Sequence, residues 1–311
     1  MKKLMKKVLA LMLAAATSIT MLAGCTKQQT ASKTLKFGLL PAESAIPIIV
    51  AKEKEFYEKE GVNVELLPFN APNDRNVAVQ AGKLDATIAD VMTSLTFHEA
   101  GVNMKITSDI NEDFKLLTSP KSGIDSFEKL NGKDVSIVPN FVLEYIMDEM
   151  AKKNNITYKT VVIPSFTARF EAILADKISG VIFTEPQAGM LVSQGAKLLA
   201  TSKEYNLKAG TLMFDEKVLK DNQKEVKAFY KAYNKAVEYM NTTNASEYSQ
   251  ILSKYGFPDA IGKYLSSGVK YEKAGKITPE TFSSVLEWTK KKGLVKKDYK
   301  FEDVSNFKFI E

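Results

Sequence analysis

The chain has 311 residues and a formal net charge of +6, from 43 basic and 37 acidic side chains. Lys2, Lys3, Lys6 and Lys7 supply four of those charges ahead of any acid, so removing them from +6 leaves +2, a mixed surface that excludes a polyanion footprint and hence nucleic acid as a partner. A single cysteine and a single histidine exclude a disulfide framework and histidine- or thiolate-rich metal centres, so neither a metal nor a cofactor is expected.

At the N-terminus, MKKLMKKVLALMLAAATSITM joins a lysine-rich start to an apolar run from about Val8 to Leu22. That run falls short of the ~20 apolar residues that cross a bilayer, and Thr17, Ser18 and Thr20 interrupt it. It ends on the small residues Ala23 and Gly24, as an exported segment does. The following Leu-Ala-Gly-Cys, residues 22–25, resembles the bacterial lipobox. The resemblance implies a cleaved signal peptide over 1–24, lipid attachment at Cys25, and a polar tether over 25–33; the alternative is an ordinary signal followed by an incidental thiol. The expected location is then the extracytoplasmic face of the cell membrane.

From residue 34 strands and helices alternate. TLKFGLL (34–40) predicts a strand and AIPIIVAKEKEFYEKEG (45–61) a helix closed by Gly61. NVELLPF, ATIA (86–89), NMKITSDI and FKLLTS predict further strands, with helices over DRNVAVQAG and VMTSLTFHEAG between them. Helices of that length between strands imply crossover units and a largely parallel sheet. After Pro120 the pattern restarts. DSFEKLNG predicts a short helix capped by Asp125 with Glu128 completing a capping box, and DVSIVP, KTVVIP, GVIFTEP and KLLAT are strands separated by helices. GTLMFD predicts one more strand, followed by helices at about 216–243, 245–255, 258–267 and 279–292. A helical tail with no sheet of its own is expected to return to the first lobe. The organisation read from the chain is 34–117 as the first part of lobe 1, 118–206 as an inserted lobe 2, and 207–311 as the return to lobe 1, with crossings near Thr118 and Lys203. Roughly 286 residues after the signal also exceed what one small core organises.

IPIIVAKEKEFYEKEGVNVEL, QAGKLDATIAD and FTEP, in that order behind a lipobox, resemble the ABC-transporter substrate-binding lipoproteins of the aliphatic-sulfonate, taurine, nitrate and thiamine-pyrimidine type. That group is similar in fold to the fungal thiamine-pyrimidine synthases. The resemblance covers about residues 34–240. It implies an α/β, two-lobed periplasmic-binding-protein-like fold of type II with a discontinuous first lobe and a helix-rich C-terminus. It also implies a small-molecule ligand, permease and ATPase subunits as partners, and a monomer.

Ligands of open α/β sheets sit beyond the carboxyl ends of the strands. Those ends bring Glu43 and Ser44, then Asp90, Met92 and Thr93, then Asn140 and Phe141, then Ser165, Phe166 and Thr167, then Glu185. Ser44 and Asp90 read equally as ligand contacts or helix N-caps. PNFVLEY departs from the Gly-Ser-Thr stretch with which many relatives hold an anion. Arg169 could meet a ligand's anion or pair with Glu171 or Asp176 at the surface, and the surface reading is preferred. Phe166, Phe183 and Phe141 could cover a flat ring or belong to the core. With Glu43, Asp90 and Glu185 assigned to the cleft and Glu144 near it, the expected ligand is neutral or amine-bearing, such as an aminopyrimidine. The alternative is a sulfonate, nitrate or other small anion. An enzyme of the pyrimidine-synthase kind needs histidine and cysteine chemistry. Here His98 lies in the middle of a helix and Cys25 is the attachment point, so no catalytic residue is assigned.

Overall fold

The computed structural model describes residues 33–310; the signal, Cys25 and the greater part of the tether lie outside them. Two five-stranded sheets carry the fold. The first contains β1 (Thr34–Leu39), β2 (Asn63–Pro68), β3 (Ala86–Asp90), β4 (Met104–Asp109) and β10 (Gly210–Asp215) in the order β2-β1-β3-β10-β4. The second contains β5 (Lys115–Thr118), β6 (Asp134–Ile137), β7 (Lys159–Val162), β8 (Gly180–Phe183) and β9 (Lys197–Thr201) in the order β7-β6-β8-β5-β9. The two orders match position for position. In each sheet three neighbouring strands are parallel, and a fourth, β10 or β5, runs antiparallel to the strands on both its sides. The expectation of a parallel sheet therefore holds for the crossover units and fails at the strand by which the chain enters each sheet from the other.

FKLLTS was expected to close lobe 1, but its strand β5 pairs with β8 and β9, so it belongs to the second sheet. The crossings are accordingly residues 110–114 and 202–209, displaced from Thr118 and Lys203. They run side by side: Phe114 N–H donates to Ser202 Oγ (3.0 Å) and Ser202 N–H returns a bond to the Phe114 carbonyl (2.7 Å).

The helices of the first lobe are α1 (Ile46–Glu53), α2 (Phe56–Lys59), α3 (Pro72–Gln80) and α4 (Val91–Glu99). Those of the second are α5 (Phe127–Leu130), α6 (Val142–Lys153), α7 (Phe166–Leu174) and α8 (Gln187–Ser193). After β10 come α9 (Glu216–Asp221), α10 (Gln223–Thr242), two short 3-10 stretches (Ala245–Glu247 and Ser249–Tyr255), α11 (Ile261–Leu265), α12 (Pro279–Lys291) and α13 (Phe301–Val304). The expected helix over 216–243 is broken at Asn222, and the one expected over 245–255 is two 3-10 stretches separated by Tyr248. Ser126, not Asp125, caps α5, its Oγ accepting from Lys129 N–H, so the proposed capping box does not form. Asp125 instead pairs with Lys129 on the surface.

Why the tail returns to lobe 1 is visible in α10. Val226, Phe229, Tyr230, Tyr233, Ala236, Val237 and Met240 recur at helical spacing and are all buried. Phe229 stacks on Phe37 of β1 and on Tyr57 of α2, with ring centroids 5.5 and 5.1 Å apart. Gly38, the next residue after Phe37, presents the opposite face of β1, where a Cβ would lie 2.5 Å from Leu84 Cδ1. The tail also reaches the second lobe. Trp288 of α12 donates to Asp148 Oδ2 of α6 (2.8 Å), and Lys292 holds Glu144 and Asp148 at 2.8 and 3.0 Å. Among the described residues no helix is long and apolar enough to cross a membrane.

Candidate functional site

The strand ends of both sheets face one another across a cavity. Its lining comes from the loop after β1 (Leu40, Ala42, Ser44), from α3 (Pro72, Arg75), from the end of β3 (Ile88, Ala89, Asp90) and from the first crossing (Glu112, Phe114). The second lobe contributes Val138 and Phe141 between β6 and α6, Val142 and Leu143 of the first turn of α6, Phe166 and Arg169 of α7, and Ile182–Thr184 at the end of β8. About 90 Å³ is open to the centre of a water-sized sphere, room for a compact small molecule rather than a single water.

Asp90 holds the lobes together at this cavity. Its Oδ1 accepts from Thr93 N–H (2.7 Å), capping α4, and its Oδ2 accepts from Val142 N–H at the start of α6 (3.2 Å). Cap and cavity wall are therefore both its roles. Burial raises its pKa, while the bond from Thr93, the charge of Arg75 and the Val142 amide pull the other way.

The two arginines of the sequence both stand here, one from each lobe. Arg75 is 2 % exposed; its Nη1 donates to the Ile88 carbonyl and its Nε to Asn76 Oδ1 (2.8 Å). Burial lowers it to about 10, with the Asp90 charge opposing, so it remains a cation at neutral pH. Arg169 is 1 % exposed, which overturns its expected surface pairing with Glu171 or Asp176. Its guanidinium lies 4.6 Å from the Phe183 ring centre and 5.2 Å from that of Phe166. Nη1 donates to the Ile163 carbonyl (3.3 Å), and Nε is buried without a hydrogen-bond partner. Burial alone brings it to about 10. The rings expected to cover a ligand thus carry a cation that itself faces the cavity.

Glu112 was not singled out from the sequence. Its Oε1 is buried without a partner, and burial, then the charges of Asp90 and Glu43, push its carboxyl well above the usual range.

The remaining sequence candidates divide. Ser44, Asp90, Phe141 and Phe166 reach the cavity. Ser44 makes no side-chain cap, so of its two readings the cavity wall is the one realised. Met92 sits in the apolar core, and Thr93 contributes its backbone amide to Asp90. Asn140 is exposed with φ +68°, its N–H donating to Glu144 Oε2 (2.7 Å). Ser165 caps α7 through Ala168 N–H (3.3 Å), and with Thr167 it lines a separate outer groove. Glu185 turns back to accept from Gly189 N–H (2.8 Å) and stands 3.5 Å from Lys115. Glu43 accepts from Tyr264 Oη and opens onto a groove on the other side of the crossing segments. Three of the four carboxylates that underlay the expectation of a neutral or amine-bearing ligand therefore lie outside the cavity. Arginine scarcity was the signal that could have located Arg75 and Arg169. A chain that meets its surface needs with lysine keeps a planar fork where geometry requires one. His98 is remote from the cavity, its Nε2 2.9 Å from the Met104 carbonyl.

Comparison with known proteins places this arrangement. A ligand-binding component of an ABC-type import system from Staphylococcus aureus, solved with zinc bound, superposes with a TM-score of 0.76 over 90% of this chain and 98% of that one, at 15% identity. The alkanesulfonate-binding protein SsuA of Xanthomonas axonopodis pv. citri, bound to MOPS, gives 0.74 over 86% and 96%, at 16% identity. These likenesses establish the two-lobed periplasmic-binding-protein fold, with its discontinuous first lobe and helix-rich C-terminus. Among curated sequences, the 4-amino-5-hydroxymethyl-2-methylpyrimidine phosphate synthase THI11 of Saccharomyces cerevisiae is 27% identical over 221 residues; the match spans 64% of each chain, a little under two thirds of the synthase. The profile of the family described as "NMT1/THI5 like" matches residues 43–244, well over half of the sequence, and the chain belongs to that family.

Proposed function

We propose that this protein is the extracytoplasmic receptor of an ABC importer, and that its ligand is a small organic anion held between the two lobes. One observation carries the ligand class: Arg75 and Arg169, buried and from opposite lobes, line the same cavity. Arg169 reaches no carboxylate through its hydrogen bonds, and a buried cation without a counter-charge is costly. Glu112, held toward its neutral form, leaves Asp90 as the one anion of the wall, against two cations. A ligand anion about 4 Å from a guanidinium gains about 4 kcal/mol at an effective dielectric near 20. The apolar wall of Phe141, Leu143, Phe166 and Ile182 suits a hydrocarbon or ring body.

A second reading, an aminopyrimidine, is favoured by the unpartnered Glu112 oxygen, which could accept an N–H group, and by the pyrimidine chemistry named for the yeast relative. Enzymatic turnover is the weaker reading, since the lone histidine stands away from the cavity. Capture by closure about the paired crossings, delivery to permease and ATPase subunits, action as a monomer and lipid attachment at Cys25 complete the proposal.

Isothermal titration of the purified protein against alkanesulfonates, taurine, nitrate, benzoate, thiamine and its aminopyrimidine precursor tests it. The expected result is binding of an organic anion that Arg169→Gln abolishes. Binding of the aminopyrimidine alone, indifferent to Arg169→Gln, would establish the second reading instead.

A further inference from the structure

Glu112 sits where three parts of the molecule meet. Its backbone belongs to the first crossing, the residue lines both the cavity and the groove behind it, and its carboxyl lies against Gly210, where the second crossing enters β10. A Cβ on Gly210 would stand 1.9 Å from Glu112 Oε1, so only glycine admits the carboxyl in this position. Its Oε1 is buried there without a hydrogen-bond partner. An ionised carboxylate with an empty oxygen in an apolar wall is strongly disfavoured; a neutral acid there needs one acceptor for its proton.

The surroundings explain why the acid is held neutral although two arginines share its cavity. Asp90 and Glu43 act on it with like charge, and burial outweighs both. Lys208 acts in the opposite sense, and Arg75 and Arg169 look into the cavity from α3 and α7. On its groove side Lys115, Lys203 and Lys270 stand among Asp113 and Glu272.

We propose that Glu112 reads the ligand as a neutral carboxylic acid, donating a hydrogen bond from its carboxyl to an oxygen of the bound anion. This rests on the anion-receptor reading above and narrows it: the ligand offers an acceptor toward the crossings as well as negative charge toward the arginines. Ionisation of Glu112 removes the donor and sets a second carboxylate against the ligand. Affinity therefore falls with rising pH, by about tenfold per pH unit once Glu112 ionises in the empty receptor.

The test uses the purified protein with 1-butanesulfonate and benzoate as probes, titrated calorimetrically from about pH 5.5 up through the pH at which the protonated-acid infrared band of the empty protein disappears. Wild type is expected to weaken with pH as stated. Glu112→Gln, which keeps a neutral donor of the same shape, is expected to bind with a flat profile, and Gly210→Ala, which displaces the carboxyl, to bind more weakly at every pH. An infrared difference spectrum, wild type minus Glu112→Gln, at neutral pH and without ligand, should carry the C=O band of a protonated acid. Loss of that band overturns the proposal whatever binds, and so does a pH profile shared by wild type and Glu112→Gln. If neither probe binds wild type at any pH while the band is present, the anion-receptor reading has failed, and the role of Glu112 toward an anion fails with it. Should Glu112→Gln not fold, the same profile and band measured on Gly210→Ala against wild type decide the matter.

Discussion

Replacing Glu43 by glutamine should change how the stability of this protein depends on pH. Glu43 begins the 3-10 turn Glu43–Ala45 after β1 and is 5 % exposed. Oε1 accepts from the Tyr264 hydroxyl, and Oε2 is buried without a partner. Burial dominates and lifts the carboxyl from 4.5 to about 7, against the opposing Tyr264 bond and Lys115 charge. The folded protein thus holds this proton after the unfolded chain has released it. Between about pH 4.5 and about pH 7 each rise in pH therefore favours unfolding, and the stability present below that window is lost through it. At about 1.4 kcal/mol per pH unit the loss amounts to about 3 kcal/mol. Glutamine keeps an acceptor for Tyr264 and does not titrate. Urea melts of wild type and Glu43→Gln from about pH 4 to about pH 8 should diverge by that amount, the variant becoming relatively more stable as pH rises. Parallel profiles, or a wild type that gains on the variant with pH, would show that Lys115 and Tyr264 outweigh burial and would refute the reasoning.

Arg169→Gln removes a buried cation that no carboxylate hydrogen-bonds, so the empty protein should keep its stability within about 1 kcal/mol while anion affinity falls about 100-fold or more; thermal melts with and without ligand separate the two effects. Asp90→Asn leaves one acceptor for Thr93 but sets an amide N–H against the Val142 N–H, which should cost about 1–3 kcal/mol in urea melts. The same substitution should open the lobes, seen as a larger radius of gyration in small-angle scattering; an unchanged radius would mean that the Asp90–Val142 bond does not hold the closed form. Cys25→Ala should abolish incorporation of a fatty-acid analogue in growing cells, and equal labelling of the variant would exclude lipid attachment at that residue.

The strand-and-helix alternation was legible because each element carries its period: Leu35, Phe37 and Leu39 share one buried face of β1, and α10 repeats its apolar residues on one side. From the same alternation followed the places where a ligand could sit, at the strand ends, and Ser44, Asp90, Phe141 and Phe166 were reached in that way. Helices whose stability comes from neighbours were less legible. The break at Asn222, the 3-10 stretch after α10 and the contact of α12 with α6 depend on what each segment meets, which local sequence does not encode. The sheet to which FKLLTS belongs was likewise hidden, since a strand's period fixes its faces and not its partners.

By itself, then, the sequence determined the order of elements, the two-lobed class and the few places where chemistry could be mounted, all of which follow from short-range periodicity and the rule that loops at strand ends face the ligand. Only tertiary structure decided which side chains turn into the cavity. Glu43 and Ser44 are adjacent, yet one faces Tyr264 and the other the cavity, because a 3-10 turn points successive side chains about a third of a turn apart. Arg169 reads as a surface residue on α7 until β8 brings Phe183 beneath it. Glu112 lies in an unpatterned crossing, and its burial exists only once Gly210, nearly a hundred residues later, closes over it. The sign of charge in the cavity is a sum over such orientations, and orientation is set by packing between segments that are distant in the chain.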